Sequence, residues 1–146
     1  MDKIAIVTGA PCAGKSTLSA SLRFPVIHVD AYIDSDGSVS GKFDMDCFDL
    51  LDSHMNFVVD VDAKRFAAIV DVMRMLQKRR NVRVRYFVLK PPFSEVLDKP
   101  CREGKIVYPD AASAHDWEEW YAMIKHKYLH YGTREELKRN IIAYLK

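Results

Sequence analysis

Apolar residues in this chain fall into two alternating rhythms, short continuous runs and longer stretches with helical spacing. Ile4-Ala5-Ile6-Val7 is an uninterrupted apolar run, the signature of a strand buried on both faces. Thr17 to Leu22 predicts the start of a helix, and Pro25-Val26-Ile27-His28-Val29 a second strand ending at Asp30. The turn-rich stretch Ile33 to Phe43 contains Asp36-Gly37, a candidate hairpin turn. A short helix across Met45 to His54 is expected to follow, then a buried strand, Phe57-Val58-Val59, closed by Asp60. From Ala63 to Arg80, Phe66, Ile69, Val70, Met73 and Leu76 recur at helical spacing, and the helix ends in basic residues that suit its dipole.

Val82 to Leu89 predicts a strand with Arg83 and Arg85 on one face and Val82, Val84 and Tyr86 on the other. Pro91-Pro92 opens a short helix through Leu97, and 99–108 is a polar, glycine-containing loop. A long helix is expected over Asp116 to Tyr131, carrying Trp117, Trp120, Tyr121, Ile124, Tyr128 and Leu129. Thr133-Arg134-Glu135-Glu136 is a capping-box sequence that opens a last helix. Alternation of strand and helix predicts an α/β fold: a three-layer sandwich with a mostly parallel sheet of four to five strands, in one domain over residues 1–146.

Between the first strand and the first helix lies Gly9-Ala10-Pro11-Cys12-Ala13-Gly14-Lys15-Ser16-Thr17, which fits G-x-x-x-x-G-K-[ST] at every fixed position. Its glycines let the backbone turn around an anion and aim successive N–H groups at it, and the helix start adds partial positive charge. Lys15 is expected to reach the β and γ phosphates of ATP or GTP, and Ser16 to ligate Mg2+. With this loop the pattern becomes a minimal P-loop kinase core with a helical lid.

Ligands of open α/β sheets bind beyond the C-terminal strand ends, where two strands here finish in aspartate. Asp30 is the candidate base for an acceptor hydroxyl. Asp60 closes a hydrophobic strand as a Walker B carboxylate does, placing it to hold Mg2+ through water or to position the acceptor. The bland alternative for either is a helix cap or solvated loop acid, and Asp62 is an equally good cap. Cations for the transferring phosphoryl group are expected from the lid loop, with Arg102 foremost and Lys99 and Lys105 beside it.

Charge is unevenly spread about a formal net of +2. Residues 30–54 hold seven aspartates against one lysine, and residues 78–90 hold six lysines or arginines and no acid. Three cysteines, Cys12, Cys47 and Cys101, form no C-x-x-C pair, so neither a disulfide framework nor a zinc site is expected, and a cytoplasmic setting fits. Cys12 lies inside the phosphate loop, where it is either redox-sensitive or simply small. His126 and His130, four apart, are expected to be a surface pair, and the aromatic set from Trp117 to Tyr128 core. No apolar run approaches membrane-spanning length.

These residues resemble the kinase domain of phage-type 5′-polynucleotide kinases. The resemblance rests on the Gly9 to Thr17 loop, Asp30-Ala31-Tyr32 after the second strand, Phe57 to Asp60 before a long helix, and Tyr108-Pro109 leading into Trp120-Tyr121-Ala122-Met123-Ile124. It implies that Asp30 is the general base, that Lys15 and Ser16 serve ATP and Mg2+, and that Arg102 contacts phosphate. The family's D-x-Y-R pattern has Ile33 in place of its arginine, and one lid arginine position is Lys99. The leading expectation is therefore transfer of the γ-phosphoryl group to a nucleic acid, at a 5′-hydroxyl or at a hydroxymethyl group on a DNA base, as in phage DNA modification. Arg79, Arg80, Arg83, Arg85, Lys125 and Lys127 are candidate phosphate contacts. The alternatives are a small-molecule nucleoside or nucleotide kinase whose acceptor pocket is the Asp-rich segment, and a nucleotide-binding switch without an acceptor. Oligomeric state is not legible in the sequence.

Overall fold

In the computed structural model, residues 2–101, 104–124 and 128–146 are described. Five parallel strands, β1 (Asp2–Gly9), β2 (Val26–His28), β3 (Phe57–Asp60), β4 (Val82–Leu89) and β5 (His130–Tyr131), form one sheet in the order β2-β3-β1-β4-β5. The central strands are the continuous apolar runs: Ile4 to Val7 and Phe57 to Val59 are all fully buried. Burial of every successive side chain requires cover on both faces.

That cover comes from α1 (Lys15–Ala20), α2 (Gly41–Asp52), α3 (Phe66–Arg79), α4 (Ala114–Ala122) and α5 (Arg134–Leu145). Right-handed crossovers put α1 and α3 on opposite faces, because the chain steps outward one way from β1 to β2 and the other way from β3 to β4. Helix α5 returns to the face of α1 and touches α1, β1 and β4. The result is the expected three-layer α/β sandwich, and its sheet is parallel throughout.

Local signals held in most places. Strand β4 has the expected limits. The Thr133 hydroxyl accepts from the Glu136 N–H at 3.2 Å and starts α5. Asp34 and Ser38 close the Asp36-Gly37 turn, with Gly37 at φ 85°. Helix α2 begins earlier than expected, at Gly41, because Ser40 caps it by accepting from Lys42 N–H.

The main correction concerns 116–131. Helix α4 stops at Ala122, and His130–Tyr131 is a parallel edge strand paired with Val88 and Leu89. Ile124 and Tyr128 keep helical spacing with Trp117 and Tyr121, so periodicity alone cannot reveal the strand. Strand β2 also ends before its expected limit, and Asp30 lies in a 3-10 turn over Val29–Tyr32. The segment after Pro92 is only a 3-10 turn, Phe93–Glu95. Among the described residues, no helix is long and apolar enough to cross a membrane.

Candidate active site

The sheet's parallel register delivers the site. Val7 of β1 and His28 of β2 both align with Asp60 of β3, so the C-terminal ends of three strands meet beside the loop that follows β1. Gly9 to Thr17 forms one wall of a cleft of about 580 Å3. Asp30, Asp62, Glu95, Lys99, Cys101 and Lys105 line other parts of it.

The shape of the loop follows from its residues. Cys12 and Gly14 have φ of 70° and 96°, the left-handed region in which glycine is unstrained and other residues are rare. At Gly9 a β-carbon would sit 2.8 Å from the Leu89 carbonyl oxygen, so only glycine lets β1 and β4 approach this closely as the loop departs. Two tyrosines pin the loop from the lid side. The Tyr121 hydroxyl donates to the Leu89 carbonyl at 2.5 Å and accepts from the Ala10 N–H at 3.2 Å. The Tyr108 hydroxyl donates to the Pro11 carbonyl at 3.0 Å. Burial pushes the Tyr108 phenol up to about 12 and raises that of Tyr121 further, so both remain donors at neutral pH. Tyr121 is thus core, as its spacing predicts, and also a brace for the loop.

Lys15 points to the sheet edge, its Nζ 3.0 Å from Asp60 Oδ1. This ion pair lacks hydrogen-bond alignment, so a buried carboxylate oxygen keeps unused acceptor capacity. The other oxygen, Oδ2, is 2.9 Å from His28 Nδ1. Asp60 is 5% exposed, and a carboxylate that deep is stable only when cations or donors face it. His28 escaped sequence reasoning because nothing near it in the chain marks it; only the β2–β3 register places it against Asp60.

Asp30 lines the same cleft as Lys15 and Ser16, from the turn after β2. Asp62 is the cap that its sequence context allowed, accepting from the Arg65 N–H at 2.8 Å and pairing with its guanidinium at 3.0 Å. Lys99 and Lys105 lie on the lid side of the cleft, whereas Arg102 lies outside the described residues. His126 does too, and among the described residues no group of three or more His, Cys, Asp or Glu forms a metal cluster.

Two expectations fare differently. The cysteine spacing predicts no disulfide, yet Cys12 and Cys101 are bonded across the cleft, their Cα atoms 5.3 Å apart. Their sequence separation of 89 hides this contact from any local motif. Of the basic stretch, Lys90 follows the loop end of β4 and lies over the Tyr121 ring at 5.0 Å, whereas its arginines lie away from the phosphate loop. Arg83 aligns with Lys3 and Leu89 with Gly9, so Arg83 sits six residues from the loop end of the sheet, roughly 20 Å at strand spacing. Arg80 pairs with Asp52 at 2.6 Å, and Arg85 lies over the Phe87 and Tyr144 rings. Lys125 and Lys127 lie outside the described residues.

Searches with the sequence match no protein-family model and no curated protein. The structure is similar to an unliganded sugar kinase from Janibacter sp. HTCC2649, with TM-score 0.58 and 14% identity over 99% of this chain and 95% of that one. A shikimate kinase from Aquifex aeolicus vf5 aligns with TM-score 0.49 and 17% identity, over 98% and 95% of the two chains. What this chain shares with that sugar kinase is the fold, an α/β sandwich built on one parallel sheet.

Proposed function

We propose that this chain is a phosphotransferase that passes the γ-phosphoryl group of ATP or GTP to a hydroxyl of a small neutral or cationic molecule. The observation that carries this reading is the cleft, which gathers the Gly9 to Thr17 loop, Asp30 and the lid lysines around one open volume. Phosphoryl transfer needs positioning and charge neutralisation more than covalent chemistry, and these residues supply both.

Lys15 leaves Asp60 to neutralise the β and γ phosphates, and the loop N–H groups hold the same oxygens. Asp30 takes the proton from the acceptor hydroxyl as the new P–O bond forms. Lys99 and Lys105 approach from the lid, and the polynucleotide kinase resemblance adds Arg102 to these cations. A divalent cation fits beside the loop: the Ser16 hydroxyl and the unaligned oxygen of Asp60 are hard oxygen donors, and Mg2+ bound with a nucleotide needs few protein ligands. When bound it would neutralise phosphate charge, while His28 holds Asp60 in place from its other oxygen.

The acceptor assignment departs from the leading expectation of a nucleic acid. The arginines expected to hold a polyanion sit toward the other end of the sheet, and the acceptor side carries Asp30 and Asp62. A nucleic-acid hydroxyl, as the polynucleotide kinase resemblance implies, is the second reading, favoured by Asp30-Ala31-Tyr32 after β2. Transfer of labelled γ-phosphate with Mg2+ to a panel of nucleosides, sugars, amino alcohols and 5′-hydroxyl oligonucleotides separates them. Label on a small alcohol, insensitive to added salt, supports the proposal. Label on oligonucleotide alone, falling steeply with salt, overturns it in favour of the second reading.

A further inference from the structure

Cys12 and Cys101 are the reactive groups that the phosphoryl-transfer chemistry leaves unused. Cys12 is in the phosphate loop, with its preceding carbonyl held by Tyr108. Cys101 is in the lid, where its N–H donates to the Lys105 carbonyl at 2.8 Å and a bridge between Pro100 and Ile106 closes the segment. Both residues line the nucleotide cleft. A Cα separation of 5.3 Å lies in the middle of the range that a disulfide spans without moving its backbone. The third cysteine is unlike them: Cys47 is fully buried, and burial pushes its thiol up to about 12.

We propose that Cys12 and Cys101 form a reversible thiol–disulfide lock on the cleft, closed by low-molecular-weight disulfides and opened by thiols, which governs nucleotide exchange. The gating rests on the nucleotide-binding reading above; the bonding does not. In closing, a cysteine thiolate of the pair attacks a disulfide RSSR, giving a mixed disulfide and releasing RS–. The second cysteine thiolate then attacks the protein sulfur of that mixed disulfide and expels the other RS–. The balance is two protein thiols oxidised to one disulfide and RSSR reduced to two RSH, with both protons carried by the products.

The consequence is mechanical. A bond from the phosphate loop to the lid fixes the distance between the walls that carry Lys15 and Lys105. A lid must move for a nucleotide to enter or leave. The bonded form therefore exchanges nucleotide slowly in both directions, and the dithiol form exchanges freely. A reducing setting keeps the site open, and a rise in oxidised thiols closes it without chemistry at any catalytic group.

The test equilibrates the full chain with glutathione and its disulfide at a series of ratios. Differential alkylation with mass spectrometry reports the state of each cysteine, and displacement of a fluorescent ATP analogue reports exchange. The expected result is joint protection of Cys12 and Cys101 as the disulfide form of glutathione rises, with Cys47 unmodified in the folded chain. Nucleotide release slows at least tenfold in step and recovers with dithiothreitol, and Cys101→Ser and Cys12→Ser each abolish the response. Independent alkylation of the two cysteines at every ratio overturns the lock. Equal release rates from the bonded and dithiol forms overturn the gating. A chain that binds no nucleotide in either state removes the functional reading and the gating with it, while the mass readout still decides whether the pair bonds.

Discussion

Asp60→Asn separates the structural use of the buried carboxylate from its use in binding nucleotide. The substitution keeps the shape of the side chain and an acceptor for His28, and removes the charge that faces Lys15 at 3.0 Å. At an effective dielectric constant near 20, the direct attraction at that distance is about 5 kcal/mol. Desolvation offsets much of it, and the Lys15 ammonium opens on the cleft, so the expected loss of stability is about 1–3 kcal/mol. For a chain of this length that lowers Tm by about 3–10 °C. Nucleotide binding without metal moves the other way. A negative charge roughly 6 Å from a phosphate, at an effective dielectric constant of about 40, costs about 1.4 kcal/mol, so its removal tightens metal-free ATP by about tenfold. Transfer with Mg2+ falls, because the oxygen placed to hold the cation's water shell is now an amide. Thermal melting and calorimetric titration of ATP, with EDTA and with Mg2+, read all three effects. A variant that melts like the parent and binds metal-free ATP no more tightly would refute the Lys15–Asp60 pair as the resting state of the loop.

Three further outcomes are expected. Lys15→Ala weakens ATP binding and abolishes transfer, whereas Asp30→Asn retains ATP affinity within about twofold while transfer falls by about 10²–10⁴-fold; full activity in the Asp30 variant excludes it as the base. Tyr121→Phe strips the hydroxyl that joins Ala10 to Leu89 and costs about 2–3 kcal/mol in denaturant titrations, but Tyr144→Phe, whose buried hydroxyl has no hydrogen-bond partner among the described residues, costs almost nothing. Stability is expected to be flat as pH rises toward 10 and then to fall between 10 and about 12. Tyr32, Tyr86 and Tyr108 hold their protons in the fold to about 12 against an ordinary 10.0, so the unfolded chain loses protons first. Melting curves with ultraviolet detection of phenolate check this, and ionisation of all seven tyrosines near pH 10 in the folded chain would contradict it.

What the sequence by itself determined is local in the chain. The phosphate loop lies in nine consecutive residues, and its glycines, lysine and serine carry their roles wherever the loop is placed. Buried strands declared themselves because apolar runs such as Ile4 to Val7 have no other use, and Asp60 stood out by ending one. Helix α5 was legible from its cap for the same reason. Tertiary structure decided whatever depends on segments distant in sequence. The two-residue strand β5 exists because β4 offers it a backbone edge, against a side-chain rhythm that still suits a helix. His28 meets Asp60 only through the β2–β3 register, and Tyr121 braces a loop 111 residues away. Cys12 finds Cys101, and Arg83 and Arg85 sit away from the phosphate loop, by the same cause. A strand's direction and neighbours fix which end of the sheet each side chain occupies, and those are set by long-range pairing that no short window of sequence contains.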